Sequence, residues 1–297
     1  MERFLPMLAV QSQPLDSAEH LFEVKWNGVR ALASVEAGHW HVWGRELADY
    51  TQRYPELDVL RRLPAGTVLD GELVLLRSGR ADLEALMRRH QLAGARKIEE
   101  ASRRLPATFM VFDLVYHGGR PLLGRPLAER RERLAELLSQ HPDHGLIFSE
   151  GVVGSGCVFF EKVVQQGHEG VMAKHLQSRY LPGRRVQAWR KIKPFQSIPC
   201  VVIGYTPSRE GIHSLLVAAT EHGTLRYVAE LTSGFSQDVR WQLARLVRTR
   251  PRLEPVVPCA RKRANWIEPE IYCEVRFLEW TSHSRLRGAH FRGLLDH

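Results

Sequence analysis

The chain has 297 residues, of which 44% are hydrophobic and 25% charged, as in ordinary globular proteins, and its length allows two domains. The formal net charge is +9, from 42 lysines and arginines against 33 acidic residues, which favours a polyanionic partner such as nucleic acid. No apolar run approaches the ~20 residues of a membrane span, the N-terminus has no signal-peptide pattern, and the 4 cysteines form no CxxC pair. We therefore expect no membrane span, no zinc site and no disulfide framework, and a location in a reducing cytoplasm.

A lysine stands at the first predicted turn of the chain. The strand-like residues 21–24 lead to Lys25, and strand character resumes over residues 31–35 after Asn27 and Gly28. Because Asn-Gly between two such runs is a strong hairpin signal, the sequence predicts a β-hairpin with Lys25 at its mouth. Taken alone, such a lysine is more often an ordinary surface charge than a reactive group.

Strands and helices then alternate along the first two thirds of the chain. Strands are predicted at residues 40–43, 68–76 and 109–116, the last of them a nearly continuous apolar run of the buried type. Helices are predicted at residues 55–63, where Pro55 enters a short one, and at 81–100, 127–140 and 155–167. This mixture indicates an α+β domain.

The pattern changes after Pro194. Short strands are predicted over residues 200–232 and 271–280, with one helix at about 237–248. Strands with a single helix in about 100 residues are typical of a small β-barrel such as an OB-fold. We therefore place a domain boundary near residues 194–198.

Three basic clusters, at residues 103–104, 130–133 and 261–263, are predicted to form solvated faces. Long charged side chains are seldom fully buried, which favours this interpretation. The cluster at 261–263 is the best candidate among them for contact with phosphate.

Four further stretches carry residues suited to chemistry: Asp-Gly-Glu at 70–72, Phe-Asp-Leu at 112–114, Glu-Gly-Val-Met-Ala-Lys at 169–174 and Trp-Arg-Lys-Ile-Lys at 189–193. Each alone has an ordinary structural explanation, such as a turn, a core aromatic or the wet face of a strand. In this order and at these spacings, together with Lys25, they resemble the signature set of covalent nucleotidyltransferases, which includes DNA ligases, RNA ligases and mRNA capping enzymes.

The sequence most resembles the bacterial ATP-dependent DNA ligases, particularly the ligase module of the end-joining ligases. The resemblance extends over residues 5–294 and includes stretches outside the catalytic motifs, at 6–9, 54–57, 180–185 and 266–269. It implies an α+β fold: a nucleotidyltransferase (adenylation) domain of antiparallel sheets with flanking helices at residues 1–196, followed by a C-terminal OB-fold β-barrel at residues 197–297. It also implies an enzyme that seals 5′-phosphate/3′-hydroxyl nicks in duplex DNA through lysyl-AMP and DNA-adenylate intermediates.

The resemblance assigns catalytic and base-binding roles to matching residues. Lys25 would attack the α-phosphate of ATP and carry AMP, with Lys191 and Lys193 holding the phosphates and favouring the neutral amine. Phe112 would stack on adenine, and Glu23 would accept a hydrogen bond from its amino group.

Cofactors and partners follow from the same resemblance. Five further residues would complete the nucleotide site: Arg30, Arg45, Glu72, Glu169 and Lys174. Mg²⁺ or Mn²⁺ would bind the hard oxygen ligands Asp70, Glu72 and Glu169. As partners we expect nicked or broken duplex DNA and DNA-repair proteins, for a monomeric enzyme located in the bacterial cytoplasm at the nucleoid.

Two residues depart from the family pattern. The DNA-ligase form of the lysine motif is Lys-x-Asp-Gly, and here Asn27 replaces the aspartate; Leu295 stands where a C-terminal Arg-x-Asp-Lys motif has its arginine. Asparagine keeps the turn but removes a carboxylate, and leucine cannot hold a phosphate. The hypothesis that follows is a self-adenylation step impaired relative to the sealing of pre-adenylated DNA. Two alternatives stay open, an RNA-joining ligase and a degenerate ligase-fold module that binds DNA ends.

Overall fold

The computed structural model describes residues 2–208, 211–221, 223–259, 264–281 and 283–295. The chain divides into two compact units, residues 1–193 and 194–297, each with its own hydrophobic core. Within the described ranges, no helix combines the length and the apolar character needed to cross a membrane.

The first unit mixes strands with helices, as its sequence pattern predicts. Its strands are β1 (Leu8–Gln11), β2 (Ser17–Val24), β3 (Val29–Glu36), β4 (His39–Gly44), β5 (Thr67–Val74), β6 (Leu76–Arg77), β7 (Arg80–Ala81), β8 (Thr108–His117), β9 (Arg120–Pro121), β10 (Leu146–Phe148), β11 (Gly151–Gly154), β12 (Val171–His175) and β13 (Arg185–Ile192). Its helices are α1 (Leu83–His90), α2 (Ala95–Arg104), α3 (Leu127–Gln140) and α4 (Gly156–Gln165), with 3₁₀ segments at Thr51–Arg53 and Pro55–Arg62. The helical pattern at 81–100 is divided between α1 and α2 because Gly94 between them takes a φ of +92°.

The larger strands of this unit form two sheets. One has the strand order β1-β13-β12-β2-β11, and the other has the order β10-β8-β5-β3-β4. In the first sheet β2 pairs antiparallel with β12 and β11, and in the second β3 pairs antiparallel with β4 and β5. Both β2 and β3 are therefore internal strands of their own sheets.

The hairpin predicted at Lys25 is wrong, because β2 and β3 belong to different sheets. Residues 25–28 carry the chain from one sheet to the other. An ideal Cβ on Gly28 would lie 2.1 Å from the carbonyl oxygen of Leu73 in β5, so a glycine is required for this crossing. The glycine of the Asn-Gly pair is thus needed because the backbone passes close to β5, and the pair does not form a two-residue turn.

An aromatic-rich core cluster joins the two sheets. Leu32, Val68 and Phe112 of the second sheet pack with Trp189 of the first. The Phe112 and Trp189 rings meet edge-on, with 6.2 Å between centroids, an arrangement that aromatic quadrupoles favour. This packing fixes the position of Phe112 near the junction of the sheets.

Helix α3 buries two arginines from the cluster at 130–133. The fully buried Arg130 pairs with the equally buried Asp113, Nε donating to Oδ1 at 2.7 Å and Nη2 to Oδ2 at 2.8 Å. Arg131 is 7% exposed, whereas the side chain of Arg133 is 45% exposed. The predicted solvated face is therefore wrong for Arg130 and Arg131, because both lie on the leucine-lined face of α3.

The second unit is built on one sheet and a helix. Its strands are β14 (Gln196–Ser208), β15 (Gly211–Glu221), β16 (Thr224–Leu231), β17 (Pro251–Arg252), β18 (Asn265–Phe277), β19 (Glu279–Trp280), β20 (Leu286–Arg287) and β21 (His290–Leu294). The sheet order is β16-β15-β14-β18-β17, with β21 beside β18, and helix α5 (Gln237–Arg248) lies where the sequence predicts it. Among the residues that the structure describes, these pairings leave the sheet open. The basic cluster at 261–263 lies outside the described residues.

The buried pair of Arg130 and Asp113 gives a direct test of this core. Arg130→Met should lower the free energy of unfolding by about 3–5 kcal/mol, because it leaves a buried carboxylate without its cation. The control is Arg133→Met, which removes an exposed ion pair with Glu129 on the same helix and should cost less than about 1 kcal/mol. Urea unfolding followed by tryptophan fluorescence measures both, and equal losses would contradict the buried pairing.

Candidate active site

A pocket of about 330 Å³ opens in the first unit, lined by strands of both sheets and by the crossing at 25–28. The predicted site residues that line it are Glu23, Lys25, Arg30, Arg45, Glu72, Phe112, Lys174, Lys191 and Lys193. The other lining residues are Leu8, Ala9, Val24, Trp26, Gly28, Met172 and Arg185. A pocket of this size is in the range of small-molecule sites, and its cationic lining favours an anionic ligand.

Lys25 is held beside a carboxylate and a second lysine. Its backbone N–H donates to the carbonyl of Gly170 at 2.9 Å, which ties the end of β2 to the start of β12. Its Nζ forms an ion pair with Glu169 Oε2, and Lys193 Nζ lies 2.6 Å from Glu169 Oε1. One carboxylate therefore bridges two ammonium groups. The side chains of Lys25 and Glu169 are each 20% exposed, so a ligand can reach the amine from solvent.

Gly170 explains why a glycine follows Glu169. Its φ is +146°, and an ideal Cβ there would lie 2.1 Å from the carbonyl oxygen of Ile192. A side chain at this position would push β12 away from the end of β13. The glycine thus keeps Glu169 within reach of Lys193.

Glu23 lies between two cations in the floor of the pocket and is 1% exposed. Lys174 Nζ forms an ion pair with its Oε1, and Arg131 donates to its Oε2 at 3.0 Å. The same ammonium group lies 3.8 Å from the centroid of the Phe112 ring, a cation–π contact. Burial lowers the pKa of Lys174 to about 8, with Glu23 acting in the opposite direction. An ionised acceptor next to an aromatic ring suits a flat base that carries an amino donor.

Arg30 is oriented by Asp70. Its Nε donates to Oδ1 at 2.6 Å and its Nη2 to Oδ2 at 2.7 Å, while the guanidinium carbon lies 4.5 Å from the centroid of the Phe112 ring. The Tyr180 hydroxyl donates to Asp70 Oδ2 at 2.6 Å, and burial raises the pKa of Tyr180 well above its usual value, so the hydroxyl keeps that proton. Asp70 is fully buried and does not line the pocket. Its carboxylate orients Arg30, and its expected role as a metal ligand stays a prediction.

Glu72 and Glu169 remain as carboxylates that a cation could reach. The described part of the chain contains no cluster of three or more His, Cys, Asp or Glu side chains suited to a metal, and the Asp70 carboxylate already binds Arg30 and Tyr180. Burial raises the pKa of Glu72 to about 7; Asp70 and Glu169 act in the same direction, while Arg30 and Lys25 oppose it. Two nearby carboxylates fit Mg²⁺ that takes its other ligands from phosphate and water.

Sequence reasoning missed several residues of the site. The arginine cluster predicts a solvated face for Arg131, although its spacing from the leucines of α3 places it on the buried side. Trp26 lines the pocket and donates from Nε1 to Ser149 Oγ at 3.0 Å. Arg185 lines it too, and its guanidinium donates to the carbonyl of Ala9. No periodicity or motif rule applied to the sequence identified either of these two side chains.

Comparison with known proteins identifies two matching family models. One, described as the ATP dependent DNA ligase domain, matches residues 6–193, and the other, the ATP dependent DNA ligase C terminal region, matches residues 208–296. The multifunctional non-homologous end joining DNA repair protein LigD of Mycobacterium tuberculosis is 30% identical over 99% of this chain. LigD of Pseudomonas aeruginosa is 32% identical over 99% of it. The chain spans little more than a third of these relatives, 38% and 36% of their lengths.

Solved structures show the same similarity. The crystal structure of the ligase domain of M. tuberculosis LigD matches with a TM-score of 0.61 and 31% identity, covering 98% of this chain and 95% of that one. A mycobacterial DNA ligase D complexed with ATP and MES matches with a TM-score of 0.55 and 30% identity, over the same shares of the two chains. The α+β fold expected from the sequence, an adenylation domain followed by an OB-fold, is confirmed.

The raised pKa of Glu72 predicts a pH-dependent stability. Its pKa rises from the ordinary 4.5 to about 7 on folding, so the stabilisation is fully present below pH 4.5 and is lost as the pH rises through 7. Glu72→Gln mimics the protonated side chain at every pH. The free energy of unfolding of the parent should therefore fall relative to that of the variant by roughly 2 kcal/mol between pH 5 and pH 8. Urea midpoints at the two pH values measure this, and a gap that stays constant would refute the assignment.

Proposed function

The chain belongs to the ATP-dependent DNA ligase family, and we propose that it seals 5′-phosphate/3′-hydroxyl nicks in duplex DNA through lysyl-AMP and DNA-adenylate intermediates. The observation that carries this proposal is that a lysine amine, a carboxylate and an aromatic ring suited to a nucleobase line one pocket. Lys25 supplies the nucleophile, while Glu23 and Phe112 supply a charged acceptor and a ring for adenine.

In the first step, Lys25 Nζ would attack the α-phosphorus of ATP, forming a P–N bond and releasing pyrophosphate. The ammonium group must lose a proton before its nitrogen can attack, and Glu169 is placed to accept that proton because it already contacts Nζ. Lys193, Lys191 and Arg45 would hold the phosphates, since all three line the same pocket as Lys25. A Mg²⁺ or Mn²⁺ ion held by Glu72 and Glu169 would neutralise phosphate charge.

The second and third steps would transfer AMP to DNA and remove it again. A 5′-phosphate oxygen attacks the phosphorus of lysyl-AMP, the P–N bond breaks, and Lys25 regains its proton. The 3′-hydroxyl then attacks the 5′-phosphate, AMP leaves, and the strand is sealed. The net charge of +9 favours binding to the phosphate backbone in both steps.

The substrate and partners of this ligation are part of the same proposal. We expect nicked or broken duplex DNA as the substrate of a monomeric enzyme that works with DNA-repair proteins at the bacterial nucleoid. The names of the LigD relatives, which include non-homologous end joining, support broken ends as one substrate. An RNA-joining ligase is the alternative, and nicks with ribose on either side distinguish the two because proteins tell RNA from DNA by the 2′-hydroxyl.

Asn27 and Leu295 favour a second candidate, a ligase whose self-adenylation is slow. Leu295 is 39% exposed, and its backbone N–H donates to the carbonyl of Tyr272 at 2.9 Å, so it continues the edge of the sheet. Its apolar side chain offers no group for pyrophosphate. The two residues that follow it lie outside the described ranges. Asn27, two positions after Lys25, stands where the family pattern has an aspartate, so that carboxylate is missing here.

The nucleophile is tested by intact mass after incubation with ATP and Mg²⁺ or Mn²⁺. The parent should gain the mass of one AMP, and Lys25→Ala should gain none, because the attacking amine is gone. Lys162→Ala is the matched control: it removes an exposed lysine of α4 and should gain AMP as the parent does. An adduct that persists in Lys25→Ala would contradict the assignment. If no protein gains AMP, sealing of pre-adenylated nicked DNA decides between slow self-adenylation and a DNA-binding module.

The slow-adenylation hypothesis is tested by comparing two rates in one protein. Lysine adenylation by ATP should be at least roughly tenfold slower than sealing of a pre-adenylated nick, because only the first step must expel pyrophosphate. Asn27→Asp, which restores the family carboxylate, should narrow the gap by raising the adenylation rate. Single-turnover kinetics measure both rates, and adenylation as fast as sealing would show that Asn27 and Leu295 impair nothing.

A further inference from the structure

Arg131 makes three polar contacts behind the pocket without lining it. From the buried face of α3, one terminal nitrogen, Nη1, donates to Glu23 Oε2 and to the carbonyl oxygen of Phe112, both at 3.0 Å. The other, Nη2, donates to the carbonyl oxygen of Ser149 at 2.6 Å. The guanidinium also lies over the Phe148 ring, 4.5 Å from its centroid. One side chain therefore fixes both Glu23 and the backbone of Phe112.

These contacts matter because Glu23 can select between bases. A carboxylate only accepts hydrogen bonds, and each of its oxygens has two lone pairs. Lys174 contacts one oxygen of Glu23 and Arg131 the other, which holds the carboxylate in one position and leaves lone pairs for a ligand. Adenine presents an amino donor on its six-membered ring where guanine presents a carbonyl acceptor. A fixed carboxylate therefore attracts the first and repels the second.

The two cations that hold Glu23 are not equivalent. The ammonium of Lys174 is a point charge that also contacts the rings of Phe112 and Trp189, 3.8 Å and 4.3 Å from their centroids. The guanidinium of Arg131 is planar, stays charged and directs several N–H groups along fixed lines. Of these two cations, it is Arg131 that links the carboxylate of Glu23 to the backbone of the strand that carries Phe112.

From this geometry we infer that Arg131 is a positioning residue that sets the base specificity of the pocket. It holds Glu23 and Phe112 at a fixed position relative to each other, so that adenine nucleotides bind and guanine nucleotides are rejected. The inference rests on the proposed function, since it takes the pocket to be the ATP site. It adds a residue that does not line the pocket. It also accounts for the buried position of an arginine that pairs with no acidic residue of its own helix.

The experiment measures dissociation constants for ATP and for GTP by titration calorimetry, in the full chain carrying Lys25→Ala so that no turnover occurs. Arg131→Met should weaken ATP binding by at least about tenfold and change GTP binding by less than about threefold, so the preference for ATP falls. Arg131→Lys keeps a charge but not the planar fork, and its preference should lie between those of the parent and Arg131→Met.

The control for simple loss of stability is Leu134→Ala. Leu134 is fully buried on the same face of α3 and lies in the core, so its truncation should lower the melting temperature and leave the ATP/GTP ratio unchanged. An unchanged ratio in Arg131→Met, or in Arg131→Lys if the methionine variant does not fold, would overturn the inference. A parent that shows no preference for ATP over GTP would also overturn it.

The failure of the proposed function has a different signature. A protein with its Lys25 intact that binds ATP but gains no AMP would refute ligation through lysyl-AMP, while the ATP/GTP ratios would still decide the role of Arg131. Ratios that shift as expected would then support a base-selective nucleotide site without ligase chemistry.

Discussion

The structure of the first unit depends on the burial of the Glu23 carboxylate. A charge that is 1% exposed is stable only if cations and hydrogen bonds replace its water. Its two partners come from β12 and α3, more than a hundred residues away along the chain. Strand β2, strand β12 and helix α3 must therefore assemble together. Because Lys25 follows Glu23 by two residues, the same constraint places Lys25 just after the end of β2, where it lines the pocket.

Other carboxylates around the pocket are also paired with cationic side chains. Asp70 is bound by Arg30 and Tyr180, and Asp113 is bound by Arg130 deeper in the core. Glu169 bridges Lys25 and Lys193. These charge-assisted hydrogen bonds fix the orientation of both side chains in each pair. They also orient cations that line the pocket, as Asp70 does for Arg30 and Glu169 does for Lys25 and Lys193.

The sequence predicted the parts of this molecule that repeat a simple period. β8, α3 and α5 occur where the sequence pattern places them, and nine of the predicted site residues, among them Lys25 and Phe112, line one pocket, whereas Asp70 and Glu169 are not among its lining residues. The predictions that failed depend on long-range pairing. The Asn-Gly signal indicates a local turn, but the strands on either side of it pair with β12 and β5 and not with each other. Composition places arginines on the surface, yet Arg130 and Arg131 meet acidic side chains of β8 and β2 inside the protein. A rule based on local sequence pattern cannot predict these partners, because they are distant along the chain.

The most direct test of this description is a crystal structure of the protein with ATP bound. We predict that adenine will lie against Phe112 with its amino nitrogen within hydrogen-bonding distance of Glu23, and that the α-phosphorus will face Lys25 Nζ. A base bound elsewhere, or one whose amino group points away from Glu23, would contradict the central claim that the buried carboxylate organises a nucleotide site.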